Sequence, residues 1–193
     1  MYRASLMSAQ GFGTAIVCLP TYNERENLER MVRAIGDAVP GLRVLVIDDN
    51  SPDGTGEIAD RLAAELDYVD VLHRAVKEGL GPAYIAGFRH ALSLGADLVL
   101  EMDCDFSHDP AALPSLLAAA ADADLVLGSR YVPGGSVANW GLSRRLISSF
   151  GSAYARVVLG VRVRDLTGGF KCFRRAAIEA IDLDAVAARR KHL

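Results

Sequence analysis

The segment MDCDFSHDP, residues 102–110, puts Asp103 and Asp105 two positions apart directly after the apolar run LVLE, with Asp109 close behind. Like charges this close repel, and two hard oxygen donors suit Mg2+ or Mn2+. Such ions keep several waters and share their remaining positions with substrate phosphates, so a two-carboxylate site implies a diphosphate ligand. Two readings stand for the pair at this level. Either Asp103 and Asp105 grip a cation, with Ser107 offering a further oxygen, or Asp105 only assists in capping the next helix. Asp109, followed by Pro110, reads as that cap.

Three further polar groups follow apolar runs. LPTYNE ends in Glu24, which is either a ligand contact or an early-helix acid favoured by the helix dipole. Its neighbour Tyr22 has a ring suited to stacking on a base. VIDDNSPDGT places Asp48 and Asp49 ahead of a Ser-Pro-Asp-Gly turn, where a carboxylate can accept hydrogen bonds from a ribose or nucleobase. GSRY carries Arg130, and Arg144 with Arg145 opens a later helical segment. A helix start disfavours cations unless an anion is present, and the guanidinium forks match phosphate oxygens, although a solvated basic face explains the Arg pair equally. Lys77 with GLG at 79–81 is a weaker phosphate or sugar signal. The histidines show no spacing for a shared metal or relay, and no G-x-S-x-G motif supports a serine nucleophile.

Strand-like runs at 14–20, 43–49, 68–74, 96–103 and 123–130 alternate with helical segments at 24–39, 54–67, 79–95 and 109–122. Continuous apolar strands joined by helices predict an α/β fold with a mostly parallel sheet covered on both faces. Polar residues then gather beyond the carboxyl ends of the strands, where open α/β sheets build their crevice. Beyond Tyr131 a Gly- and Ser-rich loop leads to a helical period over 144–160, and the segment 161–181 reads as a glycine turn followed by a helix.

Composition excludes several classes. With 21 basic and 24 acidic residues among 193, the formal charge of -3 offers no field for nucleic acid. Three widely spaced cysteines without C-x-x-C spacing argue against a disulfide framework or zinc site and fit a reducing cytoplasm. No apolar run approaches the roughly 18 residues that cross a bilayer. A frayed extension over 1–13 and a single domain over 14–193 are expected.

LPTYNERENL, VIDDNSPDGT, GLGPAYIAGF, MDCDFSHDP, GSRYVPGG, NWGLSRRLISSFG and DLTGGFKCFRR resemble, in order and spacing, the dolichol- or polyprenol-phosphate mannosyltransferases of glycosyltransferase family 2. The resemblance implies a GT-A fold that takes mannose from GDP-mannose, with Mg2+ or Mn2+, and adds it to a polyprenyl (dolichyl) monophosphate. The setting it implies is the cytoplasmic face of the membrane, which the protein meets peripherally, with a membrane-anchoring partner protein as a further expectation. Carried over residue by residue, Pro20, Tyr22, Glu24 and Asp49 match nucleotide-sugar contacts. Asp103 and Asp105 match the metal-binding D-x-D, with Ser107 where some relatives have Gln. Arg130, Arg144 and Ser148 match residues that hold phosphate, and 165–170 matches the turn beside the acceptor.

The sequence departs from the family pattern at its end. LDAVAARRKHL stands where the G-Y-x-F-Q-x-E helix, the E-V-P-I-x-F strand and a following Arg are expected, so the family's C-terminal elements are missing from the chain. Two alternatives follow: a related transferase that uses UDP-glucose or another nucleotide sugar, or a nucleotide-binding remnant without turnover.

Overall fold

A computed structural model describes residues 13–128 and 168–189. Its strands are β1 (Ala15–Thr21), β2 (Arg43–Asp48), β3 (Val69–His73), β4 (Leu98–Glu101), β5 (Leu125–Leu127) and β6 (Lys171–Arg174). The helices are α1 (Leu28–Ala38), α2 (Thr55–Glu65), α3 (Leu80–Ser93), α4 (Leu113–Ala119), α5 (Arg175–Glu179) and α6 (Leu183–Arg189), with a 3-10 turn at Pro110–Ala112. The strands form one sheet in the order β3-β2-β1-β4-β6-β5. β1 lies parallel to β2 and β4, β2 lies parallel to β3, and β6 runs antiparallel between β4 and β5.

Alternation along the central strands explains the two-sided core. Val17, Leu19, Val44, Val46 and Leu100 face α1, α2 and α4, where Leu28, Met31, Leu62 and Leu113 are fully buried against them. Ile16, Cys18, Leu45, Ile47 and Val99 face the other way, toward Phe88 and Ala91 of α3 and Ile178 of α5. Burying one such aliphatic side chain contributes about 1.5–3 kcal/mol, so strands buried on both faces must read as continuous apolar runs. Gly87 lets α3 approach the sheet: a Cβ there would lie 2.3 Å from Ile47 Cδ1.

The five expected strands are present, β1 shifted by one residue and the others shorter than expected, and β6 is a correction to the reading of 161–181 as turn and helix alone. KCFR spans four residues and carries no pattern that separates a strand from a helix start. What makes it a strand is pairing with β4 and β5, a tertiary effect. Helix α1 begins at Leu28 and not at 24, because Glu24 closes a turn in which its carbonyl accepts the amides of Asn27 and Leu28. The expected helix over 144–160 lies outside the described residues, as does the glycine-rich loop before it. Among the described residues no helix is long and apolar enough to cross a membrane.

Candidate active site

The loops after β1, β2, β3 and β4 meet in a cleft of about 260 Å3 beyond the carboxyl ends of those strands. Pro20, Tyr22 and Glu24 line it from β1, Asp49 from β2, Lys77 and Gly79 from the β3–α3 connection, and Asp103 and Asp105 from β4. The structure therefore brings together Pro20, Tyr22, Glu24, Asp49, Asp103 and Asp105, the six described residues that the resemblance matched to nucleotide-sugar or D-x-D positions, and adds Lys77 and Gly79 from the weaker signal. Arg130, Arg144, Ser148 and residues 165–167 lie outside the described residues.

Strand alternation separates the two acids that end β2. Asp48 is buried and accepts from the Thr21 hydroxyl (3.2 Å), the Ser51 hydroxyl (2.6 Å) and the Ser51 amide (3.1 Å), so its capacity is spent on the turn. Asp49 opens to the cleft and is ion-paired with Arg74, whose second nitrogen reaches Glu78 at 2.7 Å. Arg74 stood in the sequence as the last residue of a strand, and only the fold reveals it as the partner of Asp49. In the same turn Asp53 accepts from the Thr55 amide and hydroxyl, and that hydroxyl accepts the Glu24 amide at 3.0 Å. The first loop is thereby tied to the second.

Glu24 lines the cleft and accepts from the Asn27 side-chain amide at 2.8 Å, but it precedes α1 and is not the early-helix acid that the sequence allowed. Tyr22 is partly exposed at the rim. Its ring face carries the Lys77 ammonium, 3.5 Å from the centroid, so the surface expected to stack on a base holds a cation in this structure.

β4 stops at Glu101, and the chain bends so that Asp103 and Asp105 both reach the cleft. Burial pushes the Asp103 carboxyl above its ordinary range, and the charge of Asp105 adds to the effect. Tyr84, a buried phenol of α3, donates to Asp103 Oδ1 at 3.2 Å. Partial burial works in the same direction on Asp105, but the Ser107 hydroxyl and amide overcome it and hold that carboxyl below its usual value. Asp109 accepts the Ala111 amide at 2.9 Å and caps the 3-10 turn, as its sequence position suggested. Between Asp105 and Ser107, Phe106 adopts φ +58°, a strained conformation for an aromatic residue, with Arg30 of α1 5.0 Å from its ring centroid. Below the loop, Glu101 pairs with Lys171 of β6 at 2.6 Å, although burial pushes the Glu101 carboxyl up.

The donor set fits a hard divalent cation. Two carboxylates of one loop line one cleft, and one of them is made costly by burial beside the other, a cost that a cation relieves. Among the described residues no cluster of three His, Cys, Asp or Glu side chains forms, and the Ser107 hydroxyl serves Asp105. That composition suits an ion which takes its other ligands from water and from substrate oxygens.

The glycosyl transferase family 2 profile matches residues 16–182. The chain belongs to glycosyl transferase family 2. Within this family it is 52% identical over 174 residues to the undecaprenyl-phosphate mannosyltransferase of Micrococcus luteus, a match that covers 90% of this chain and 72% of that protein. It is 50% identical to the polyprenol monophosphomannose synthase of Mycolicibacterium smegmatis, covering 90% of this chain and 66% of that one. Identity to the dolichol-phosphate mannosyltransferase of Pyrococcus furiosus is 39%, over 88% of this chain and 49% of that one. The chain thus spans between about half and about three-quarters of the length of these relatives. Among solved structures, a mannosyltransferase from Pyrobaculum calidifontis in complex with GDP-Man and Mn2+ superposes with a TM-score of 0.60 at 18% identity, over 88% of this chain and 47% of that one. Glucosyl-3-phosphoglycerate synthase from Mycobacterium tuberculosis superposes at 0.63 and 23% identity, over 91% and 62%. At such identity these two speak for the fold alone, which is the GT-A fold that the sequence motifs implied.

Proposed function

We propose that the chain transfers mannose from GDP-mannose to a polyprenyl monophosphate with inversion at the anomeric carbon. The observation that carries this reading is the convergence of Asp49, Asp103 and Asp105 on one cleft, in a chain half identical to proteins named for mannosyl transfer to such lipids. Asp49, oriented by Arg74, accepts hydrogen bonds from the nucleoside, and Tyr22 offers its ring to the base once Lys77 moves toward the anionic ligand. Mg2+ or Mn2+, held by Asp103 and Asp105, supplies charge neutralisation at the diphosphate.

In the reaction an acceptor phosphate oxygen bonds to the anomeric carbon as the bond to GDP breaks, and GDP leaves with the electron pair. A phosphate monoester has its second pKa near ~6, so the acceptor is largely dianionic at neutral pH and needs no general base. The protein's task is to position two anions against their repulsion, and we assign the acceptor phosphate to Arg130, Arg144 and Ser148. The acceptor lipid places the enzyme peripherally at the cytoplasmic face of a membrane, with an anchoring partner protein.

The test is transfer of radiolabelled mannose from GDP-mannose to a short-chain polyprenyl phosphate, with UDP-glucose as the competing donor. Lipid-linked mannose from GDP-mannose, lost in Asp103→Ala and Asp105→Ala, supports the reading. Preferential use of UDP-glucose, or thermal stabilisation by GDP without any product, contradicts it.

A further inference from the structure

His108 follows the acidic loop, and its ring touches both sides of the site. Its Nδ1 accepts the backbone amide of Asp103 at 3.2 Å. An Nδ1 that already accepts this proton cannot also donate to the carboxylate, so its 3.9 Å approach to Asp103 Oδ2 is a contact and not an ion pair. The ring lies flat on Phe170, with centroids 5.3 Å apart and planes 17° apart. Gly169 packs against both Asp103 and His108: a Cβ there would come 3.1 Å from Asp103 Oδ2 and 3.2 Å from His108 Cε1. A side chain at 169 would force the carboxylate or the ring to yield. Lys171, which follows Phe170, faces Glu101 in the sheet register and pairs with it, which fixes residues 168–170 against the strand leading into Asp103.

We propose that His108 is a positioning residue that couples the Asp103 carboxylate to the turn at 168–170. The inference rests on the reading above, in which Asp103 faces the donor diphosphate and that turn lies beside the acceptor. One edge of the imidazole sets the peptide that aims Asp103, and its face seats Phe170. The two functions reside in separable features of the ring. Asn keeps an oxygen acceptor in the place of Nδ1 but has no aromatic face, whereas Phe keeps the face and has no acceptor.

The experiment measures two quantities on the purified full chain: the Kd of Mn2+ in the presence of GDP, by titration calorimetry, and the KM of a short-chain polyprenyl phosphate in the transfer assay. His108→Phe is expected to weaken Mn2+ binding about tenfold, at the low end for groups that orient metal ligands, and to leave the acceptor KM within about twofold. His108→Asn is expected to keep the Mn2+ Kd within about twofold and to raise the acceptor KM about fivefold, the loss of a stacking contact of about 1 kcal/mol. Phe170→Leu, which removes the stack from its other side, must repeat the His108→Asn result and replaces that variant if it folds poorly. His108→Leu, lacking both features, must show both losses and replaces His108→Phe in the same way. His108→Phe, His108→Asn and Phe170→Leu variants that differ from wild type only in melting temperature, or that lose both quantities together, overturn the coupling role, as does a His108→Leu variant that spares either quantity. A wild-type chain that binds Mn2+ with GDP yet makes no lipid-linked mannose defeats the functional reading, while the calorimetric arm still decides the link from His108 to Asp103.

Discussion

Two pairs of acids stand at the carboxyl ends of neighbouring parallel strands, and the protein treats them differently. At the end of β2, Asp48 and Asp49 are adjacent. One is consumed by hydroxyl and amide donors of its own turn, and the other is met by the protein's own cation, Arg74. At the end of β4, Asp103 and Asp105 are two apart and both reach the cleft, held by the neutral donors Tyr84 and Ser107. Among the described residues no lysine or arginine pairs with either of them. The first pair is matched among the described residues, whereas on the proposed reading the second takes its cation from outside.

The contrast is broken or sharpened by substitutions at each end. The largest effect is expected at Asp105. Asp105→Asn removes charge with little change in shape and should lower kcat/KM for mannosyl transfer by about a thousandfold, roughly 4 kcal/mol, while urea midpoints shift little. Asp48→Ala should do the opposite: the loss of three accepted hydrogen bonds at a buried site costs about 2–3 kcal/mol of stability in urea melts, and the folded fraction retains transfer. An Asp48 variant as inactive as Asp105→Asn, yet stable, would erase the distinction. Arg74→Met leaves Asp49 a buried carboxylate without its cation. We expect the KM for GDP-mannose to rise about tenfold, or ~1.4 kcal/mol, with a smaller change in kcat. The smallest effect is expected from Arg30→Met, which deprives Phe106 of its cation and costs about 0.5–1 kcal/mol in the same melts.

The same contrast explains what the sequence could disclose. VLVIDD and LVLEMD announced buried parallel strands because each is apolar on both faces, and the polar groups beyond them pointed to a crevice. Which of Asp48 and Asp49 enters the cleft depends on where the strand ends relative to its pleat, a one-residue matter that the motif leaves open. Arg74 and Tyr84 were hidden for a different reason: each reaches its carboxylate from another element, 25 and 19 residues away in sequence. His108 was visible only as a histidine outside any metal or relay spacing, because the contacts that place it include a backbone amide and an aromatic ring from residue 170. β6 escaped because four residues cannot state a period, and its pairing with β4 crosses 70 residues of chain between Glu101 and Lys171.

The central claim, that the acids after β4 bind a nucleotide diphosphate through a divalent ion, is tested most directly by calorimetric titration of GDP into the wild-type chain and into the Asp103→Asn, Asp105→Asn double variant, each with Mn2+ and with chelator. The account predicts that Mn2+ tightens GDP binding to the wild type at least about tenfold and leaves the double variant unchanged. GDP affinity that is the same with and without Mn2+ in the wild type, or a Mn2+ effect that survives in the double variant, would contradict it.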